Sequence, residues 1–232
     1  GGPPTGLPGA TAPPGGATSV PTGGADILGG RRDLTVDLVD GPGPAGVGVT
    51  GGALSFAVTD TTPDSAGRVV VTWDGDADPN VLDPSGLGAV DLTAGGAAAF
   101  RLAVVEAVAG AQLVMTVYTD ATHYSDVARL LPAVAAPTQM VIGFEELLPG
   151  RGAAGPADLA EVGAIVLSVV SGEGEVVVDA VETALPAVAA TKVDLLAADG
   201  TPITGPVPPG TVVRYRVTVS NDGGTAAAVD LE

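Results

Sequence analysis

Four oxygen-bearing side chains stand at alternate positions in one short run, Asp74, Asp76, Asp78 and Asn80 of "WDGDADPNVLD". The oxygen ligands of a calcium loop recur at that spacing, because a hard dication collects carboxylate and carbonyl oxygens from a chain that turns around it. The run departs from the helical calcium hand at two places. Pro79 stands where the turn glycine belongs, and no glutamate closes the loop. Two readings stay open for it: a calcium site on a β-sandwich with further ligands from elsewhere, and a solvated acidic turn.

Catalytic side chains are scarce. His123, in "YTDATHYSD", is the single histidine, and the chain has no cysteine. Thiolate nucleophiles, cysteine-ligated zinc and disulfides are thereby excluded. A serine triad would need His123 beside a positioned serine and acid, and the sequence holds no nucleophile-elbow motif. His123 is therefore expected as a polar loop residue between two strands. Glycoside hydrolysis calls for two carboxylates facing each other across a cleft. The candidates Glu145 and Glu146 are adjacent and project in different directions. The expectation is a protein that is not an enzyme.

Sugar binders present flat rings, which match the apolar face of a pyranose. This chain has Trp73, three Tyr and three Phe. Trp73 alternates with Val69 and Val71 and is expected in the core. Tyr118, on the face shared with Val114 and Thr116, and Tyr124 in the loop that follows form the platform the sequence offers.

The net charge is −18, from 27 acidic residues against 9 basic ones. That balance excludes sequence-independent binding to phosphate backbones, and nucleic acid with it. Lys192 is the single lysine. An acidic, lysine-poor surface suits a salty or calcium-bearing exterior, and biased codon usage accounts for the scarcity of lysine equally well. No stretch approaches the roughly 18 to 20 apolar residues of a membrane span. Residue 1 is Gly, as in a chain processed from a precursor or cut from a longer one.

The elements that must position these residues are strands. Residues 1–24 are dense in Pro, Gly, Thr and Ala without apolar periodicity and read as an extended arm or linker. From residue 25 the pattern becomes short apolar runs of period two, broken by Gly, Asp and Pro clusters. The runs fall at 34–39, 53–59, 68–73, 89–92, 99–108, 112–119, 127–131, 139–144, 164–170 and 175–182. So many strands in residues 25–184 imply a two-layer antiparallel sandwich. A brief helix of one or two turns at most is expected at "PADLAEVGA", residues 156–164, from Pro156 and the acids Asp158 and Glu161. Residues 185–232 form a separate β module. In it Val213, Tyr215, Val217 and Val219 make the inward face of an alternating strand, with Val212, Arg214, Arg216 and Thr218 opposite.

Two resemblances rest on these runs. The segments "ADILGGRRDLTVDL", "GRVVVTWDG", "FRLAVVEA", "LVMTVYTDA" and "DLAEVGAIVLSVV" resemble the galactose-binding-like jelly-roll domains of bacterial secreted and surface proteins. The end, "TKVDLLAADGTPITGPVPPGTVVRYRVTVSNDGGTAAAVDLE", is similar to the opening strands of an Ig-like repeat of bacterial and archaeal surface proteins.

The expectation is thus an all-β chain: a Pro/Gly-rich arm, an antiparallel jelly-roll β-sandwich and a partial Ig-like module. About 40 residues in two or three strands bury too little surface to stand alone. Each large side chain of the Val213, Tyr215, Val217 and Val219 face would contribute about 1.5 to 3 kcal/mol on burial, so copies of the same chain are the expected partner. The functional expectation is a non-catalytic extracellular or cell-surface subunit of a fibre, filament or layer, assembling through its partial C-terminal β module and its N-terminal arm. The alternative is a carbohydrate-binding or adhesive module that takes polysaccharide. Calcium is the one cofactor considered.

Overall fold

In a computed structural model of the 232-residue chain, the structure describes residues 10–12, 17–23, 27–40, 45–50, 53–58, 66–76, 78–172, 174–185, 188–196, 209 and 214–221. The strands run in the order β1 (Ala10–Ala12), β2 (Ala17–Gly23), β3 (Arg31–Asp40), β4 (Ala45–Thr50), β5 (Ala53–Val58) and β6 (Ala66–Trp73). A long loop leads to β7 (Ala99–Glu106), β8 (Gln112–Tyr118), β9 (Tyr124–Leu130), β10 (Thr138–Gly143), β11 (Leu148–Pro149), β12 (Ala164–Ser171) and β13 (Gly174–Ala184). Beyond them lie β14 (Val188–Leu196) and β15 (Arg214–Asn221).

Two sheets make the sandwich. One has the order β1-β4-β5-β13-β7-β10 and the other β11-β9-β8-β12-β6-β3-β2. Their pairings are antiparallel. The fold is the all-β antiparallel jelly-roll sandwich that the alternating runs require. In β12, Ile165, Leu167 and Val169 are buried while Val166, Ser168 and Val170 point the other way. Leu113, Met115 and Val117 of β8, Val69 and Val71 of β6, and Leu34 and Val36 of β3 extend the same inner face. Leu54, Phe56, Phe100, Leu102, Val104, Ile142, Val176 and Val178 meet them from the second sheet. Burial of each such side chain stabilises the sandwich by about 1.5–3 kcal/mol.

Several expectations are corrected. Residues 89–92 are not a strand: Val90 makes one antiparallel bridge with Val162. Gly88 and Ala89 have φ of 73° and 67°, a left-handed backbone that stops an extended run before it can lengthen. Residues 156–164 hold no helix. The Asp158 carboxylate accepts from Ala160 N at 3.0 Å, a local bond that competes with helical hydrogen bonding. The segment read as a linker contributes two edge strands, with β1 on β4 and β2 on β3. Pro21 stands opposite Asp33 there, and an edge is the place where a sheet tolerates a proline. β4 also escaped the pattern, because Gly46 and Gly48 interrupt the alternation that buried Ala45 and Val47 otherwise carry.

The terminal strands β14 and β15 pair with each other antiparallel in a two-stranded sheet. Tyr215, Val217 and Val219 stand opposite Leu195, Lys192 and Ala190. Val213 lies outside the described residues, as do the side chains of the other three.

Candidate functional site

The strands that bury one set of side chains present the alternate set on the outer face of the seven-stranded sheet. Register lines this set up in rows. Asp33, Thr72, Val166, Thr116 and Asp126 form one row, and Thr35, Val70, Ser168, Val114 and Ala128 the next. A third contains Asp37, Arg68, Val170, Gln112 and Leu130. The Arg68 guanidinium donates to Asp37 Oδ2 at 2.9 and 3.2 Å. Most of the face is half-buried, with hydroxyl and carboxylate groups set among short apolar side chains.

Both predicted platform tyrosines sit at one end of it. Tyr124 is not in the loop; it is the first residue of β9, directly opposite Tyr118. The two rings stack with 5.2 Å between centroids and 29° between planes. The Tyr124 hydroxyl donates to the Arg151 carbonyl at 2.6 Å, and Gly150 N donates to the Tyr124 carbonyl at 2.9 Å. A Cβ on Gly150 would run into the Tyr124 ring, so glycine is what lets the backbone approach. Burial raises the pKa of the Tyr118 hydroxyl, and the nearby Tyr124 and Asp126 add to the effect.

His123 belongs to the β8–β9 turn. The Asp120 carboxylate accepts from Thr122 N, Thr122 Oγ1 and His123 N at 2.6, 2.7 and 2.8 Å, and His123 Nδ1 lies 3.0 Å from Asp120 Oδ2. The Thr122 hydroxyl, the Thr122 amide and then His123 hold Asp120 well below the usual carboxylate range. The ring is thus placed against Asp120 and Thr122 rather than a serine. Glu145 and Glu146 lie on one 3-10 turn. Glu146 accepts from Gly143 N at 2.8 Å and pairs with Arg129, which fixes it as a turn-holding residue.

The Asp74 to Asn80 run forms consecutive turns. Asp74 is 1% exposed, and its two oxygens accept from Asp76 N at 3.2 Å and Asp83 N at 2.9 Å. Asp78 Oδ1 accepts from Asn80 N and Asn80 Nδ2, and Asp83 Oδ1 from Ser85 N and Oγ. A carboxylate that bonds the amide two residues on is an Asx turn, and this accounts for the alternate spacing by a second route. Among the described residues no three His, Asp or Glu side chains converge as metal ligands would. Asp33 lies beneath this loop in a small cleft that it shares with Thr35, Thr72 and Asn80. It is 3% exposed, with Oδ1 unpartnered, and its pKa is pushed up to about 6 by burial first, then by Asp74, Asp76 and Asp78, against the lowering effect of Arg31.

Trp73 packs against the core, as expected, and also lines a cavity of about 700 Å³ between the sheets. Sequence reasoning named Thr116 on the Tyr118 face but did not single out the outward row members Thr72, Asp126 and Ser168, nor Gly150 and Arg151. The rows could have been read from the alternation within each strand; the ring-supporting contacts join distant segments and left no local signal.

No protein-family model matches the sequence, and no curated protein matches it. Two solved structures align with much of the chain at low similarity. One is a family 11 carbohydrate-binding module from Clostridium thermocellum in complex with a β-1,3-1,4-mixed-linked tetrasaccharide. It is 14% identical with a TM-score of 0.38, over 73% of this chain and 88% of that one. Another is TmCBM61 in complex with β-1,4-galactotriose, 11% identical with a TM-score of 0.31, over 72% of this chain and 88% of that one.

Proposed function

We propose that the protein is a non-catalytic, extracellular carbohydrate-binding module whose platform is the outer face of the seven-stranded sheet. The observation that carries this reading is the Tyr118–Tyr124 pair, two stacked rings held at the end of a face built from hydroxyls, carboxylates and short apolar groups. A pyranose places its apolar face on such rings. Thr116, Asp126, Thr72 and Ser168 then offer hydrogen-bonding groups on neighbouring strands, which lie about 4.8 Å apart. An extended polysaccharide lying across the strands meets the tyrosines first and the rows after them.

The test is titration calorimetry of the full chain against soluble β-glucans, galactans, xylans and mannans, repeated with Tyr118→Ala and Tyr124→Ala. Saturable binding to at least one class, lost in both variants, is expected. Binding to none of them, or binding that survives both substitutions, overturns the assignment.

A second reading, self-assembly through the terminal module, is favoured by one observation. Among the described residues β14 and β15 form a two-stranded sheet, and a two-stranded unit by itself is marginally stable. Sedimentation of the full chain beside a chain ending at residue 186 tests it: assembly of the first and a monomeric second is the expected result. A monomeric full chain removes this reading and leaves the carbohydrate platform untouched.

A further inference from the structure

We propose that the cavity between the two sheets is a second binding site, separate from the outer face, for a small ligand with an apolar body and a cationic end. The cavity holds about 700 Å³. Sandwich cores pack with few voids larger than a water molecule, whereas pockets for small organic ligands run to about 300–1,000 Å³ with mostly apolar walls and a few polar groups. Val71, Trp73 and Leu167 form one wall, and Leu54, Phe100 and Val178 the other. Val71, Trp73 and Leu167 are inward side chains of β6 and β12, whose outward ones belong to the platform face, so the two sites lie on opposite sides of the seven-stranded sheet.

The mouth is polar and unevenly charged. Asp91, Asp179, Glu182 and Thr183 line it and are exposed, and Arg32 is the cation among the lining residues. Asp91 accepts from Thr93 N and Oγ1, and Glu182 is tied to Arg101. Asp179 sits at an irregularity in β13. The register passes from Val178 opposite Val104 to Ala180 opposite Ala103, which leaves Asp179 out of the ladder. Bulges of this kind re-aim side chains beside binding sites. Glu182 is already offset by Arg101, so Asp91 and Asp179 stand against the one lining guanidinium, and on a chain of net charge −18 they favour a positive end on whatever enters.

Trp73 is the single tryptophan of the chain and lines the cavity, so its emission reports occupancy directly. The full chain is titrated with decylamine, decanol and decanoate, each below its micelle concentration. Decylamine is expected to change the Trp73 emission saturably, and decanoate to bind at least about tenfold more weakly, because like charges at the mouth repel it. Asp179→Asn, an exposed substitution, is expected to weaken decylamine about threefold or more while leaving decanol unchanged. Thr183→Lys provides a second variant and is expected to narrow the gap between amine and carboxylate. No response to any probe overturns the site. Equal affinity for decylamine and decanoate, or decylamine binding indifferent to both substitutions, overturns the cationic specificity. Loss of polysaccharide binding in the tyrosine variants with this response intact separates the two sites.

Discussion

Tyr118 and Tyr124 stand opposite each other where β8 turns into β9, with ring centroids 5.2 Å apart. An aromatic pair of this kind contributes about 0.5–1.5 kcal/mol beyond the area it buries. Removing either ring should lower the melting temperature modestly and carbohydrate affinity severely, by at least about tenfold. Tyr124→Phe separates the two roles. It loses only the bond to the Arg151 carbonyl, about 0.5–1.5 kcal/mol, keeps the stacked ring, and should bind polysaccharide within a few-fold of the parent. Calorimetry with a melting curve on each variant checks this. A Phe variant as defective in binding as the Ala variant would assign the function to the hydroxyl instead of the ring.

Asp33 makes stability depend on pH. The folded chain holds a proton on it up to about pH 6, while an unfolded chain releases it near 4. Between those values the folded state binds more protons, so this contribution is complete below about pH 4 and is lost as pH rises through 6. A shift of about two units corresponds to at most roughly 3 kcal/mol. Asp33→Asn should therefore melt higher than the parent at pH 7, with the difference shrinking toward pH 4.5. A difference that stays constant between those two pH values would show that the charge on Asp33 is not the cause.

Asp74 should matter more for stability than for any ligand. Its carboxylate is buried and accepts the amides of Asp76 and Asp83, closing the loop across nine residues. Asp74→Ala leaves those two donors without that partner and should cost about 1–3 kcal/mol. The calcium reading of the same run makes a different forecast: added calcium should raise the melting temperature by mass action, and Asp76→Asn with Asp78→Asn should abolish the rise. Each Asp74 oxygen already holds a backbone amide of its own loop, and the expected result is a large effect of Asp74→Ala and no calcium shift. A chelator-sensitive melting curve would reverse that.

The strands that build the core were legible in the sequence because each alternates cleanly, as Leu113, Met115 and Val117 do against Val114 and Thr116. What escaped was set by other forces. β2 and β4 carry Pro21, Gly46 and Gly48, residues that weaken a strand pattern but are accepted where edge pairing or inter-sheet packing supplies the order. The Asp74 to Asn80 spacing could not be resolved locally, since calcium ligation and Asx turns both recruit oxygens at every second residue. Tyr118 and Tyr124 were picked out as a platform, yet their stacking depends on β9 beginning one residue after His123 and on the distant Gly150. The elevated pKa of Asp33 likewise arises from a loop some forty residues later in the chain folding over β3.

Gly150 should act on binding through Tyr124 alone. It is not one of the outward row residues, but its backbone lies against the Tyr124 ring and its amide donates to the Tyr124 carbonyl. A methyl group at Gly150 must displace the Tyr124 ring from the position in which it stacks on Tyr118 and bonds the Arg151 carbonyl. Gly150→Ala is therefore expected to weaken polysaccharide binding nearly as much as Tyr124→Ala, although it removes no ligand-contacting atom. The double variant distinguishes transmission from independent damage, because contacting residues depart from additivity. If Gly150 works by placing the ring, Gly150→Ala in the Tyr124→Ala background should cost little further affinity and should regain part of the stability lost to the clash. Additive losses in the double variant would mean that the 150–152 turn touches the ligand itself, which would extend the platform beyond the sheet.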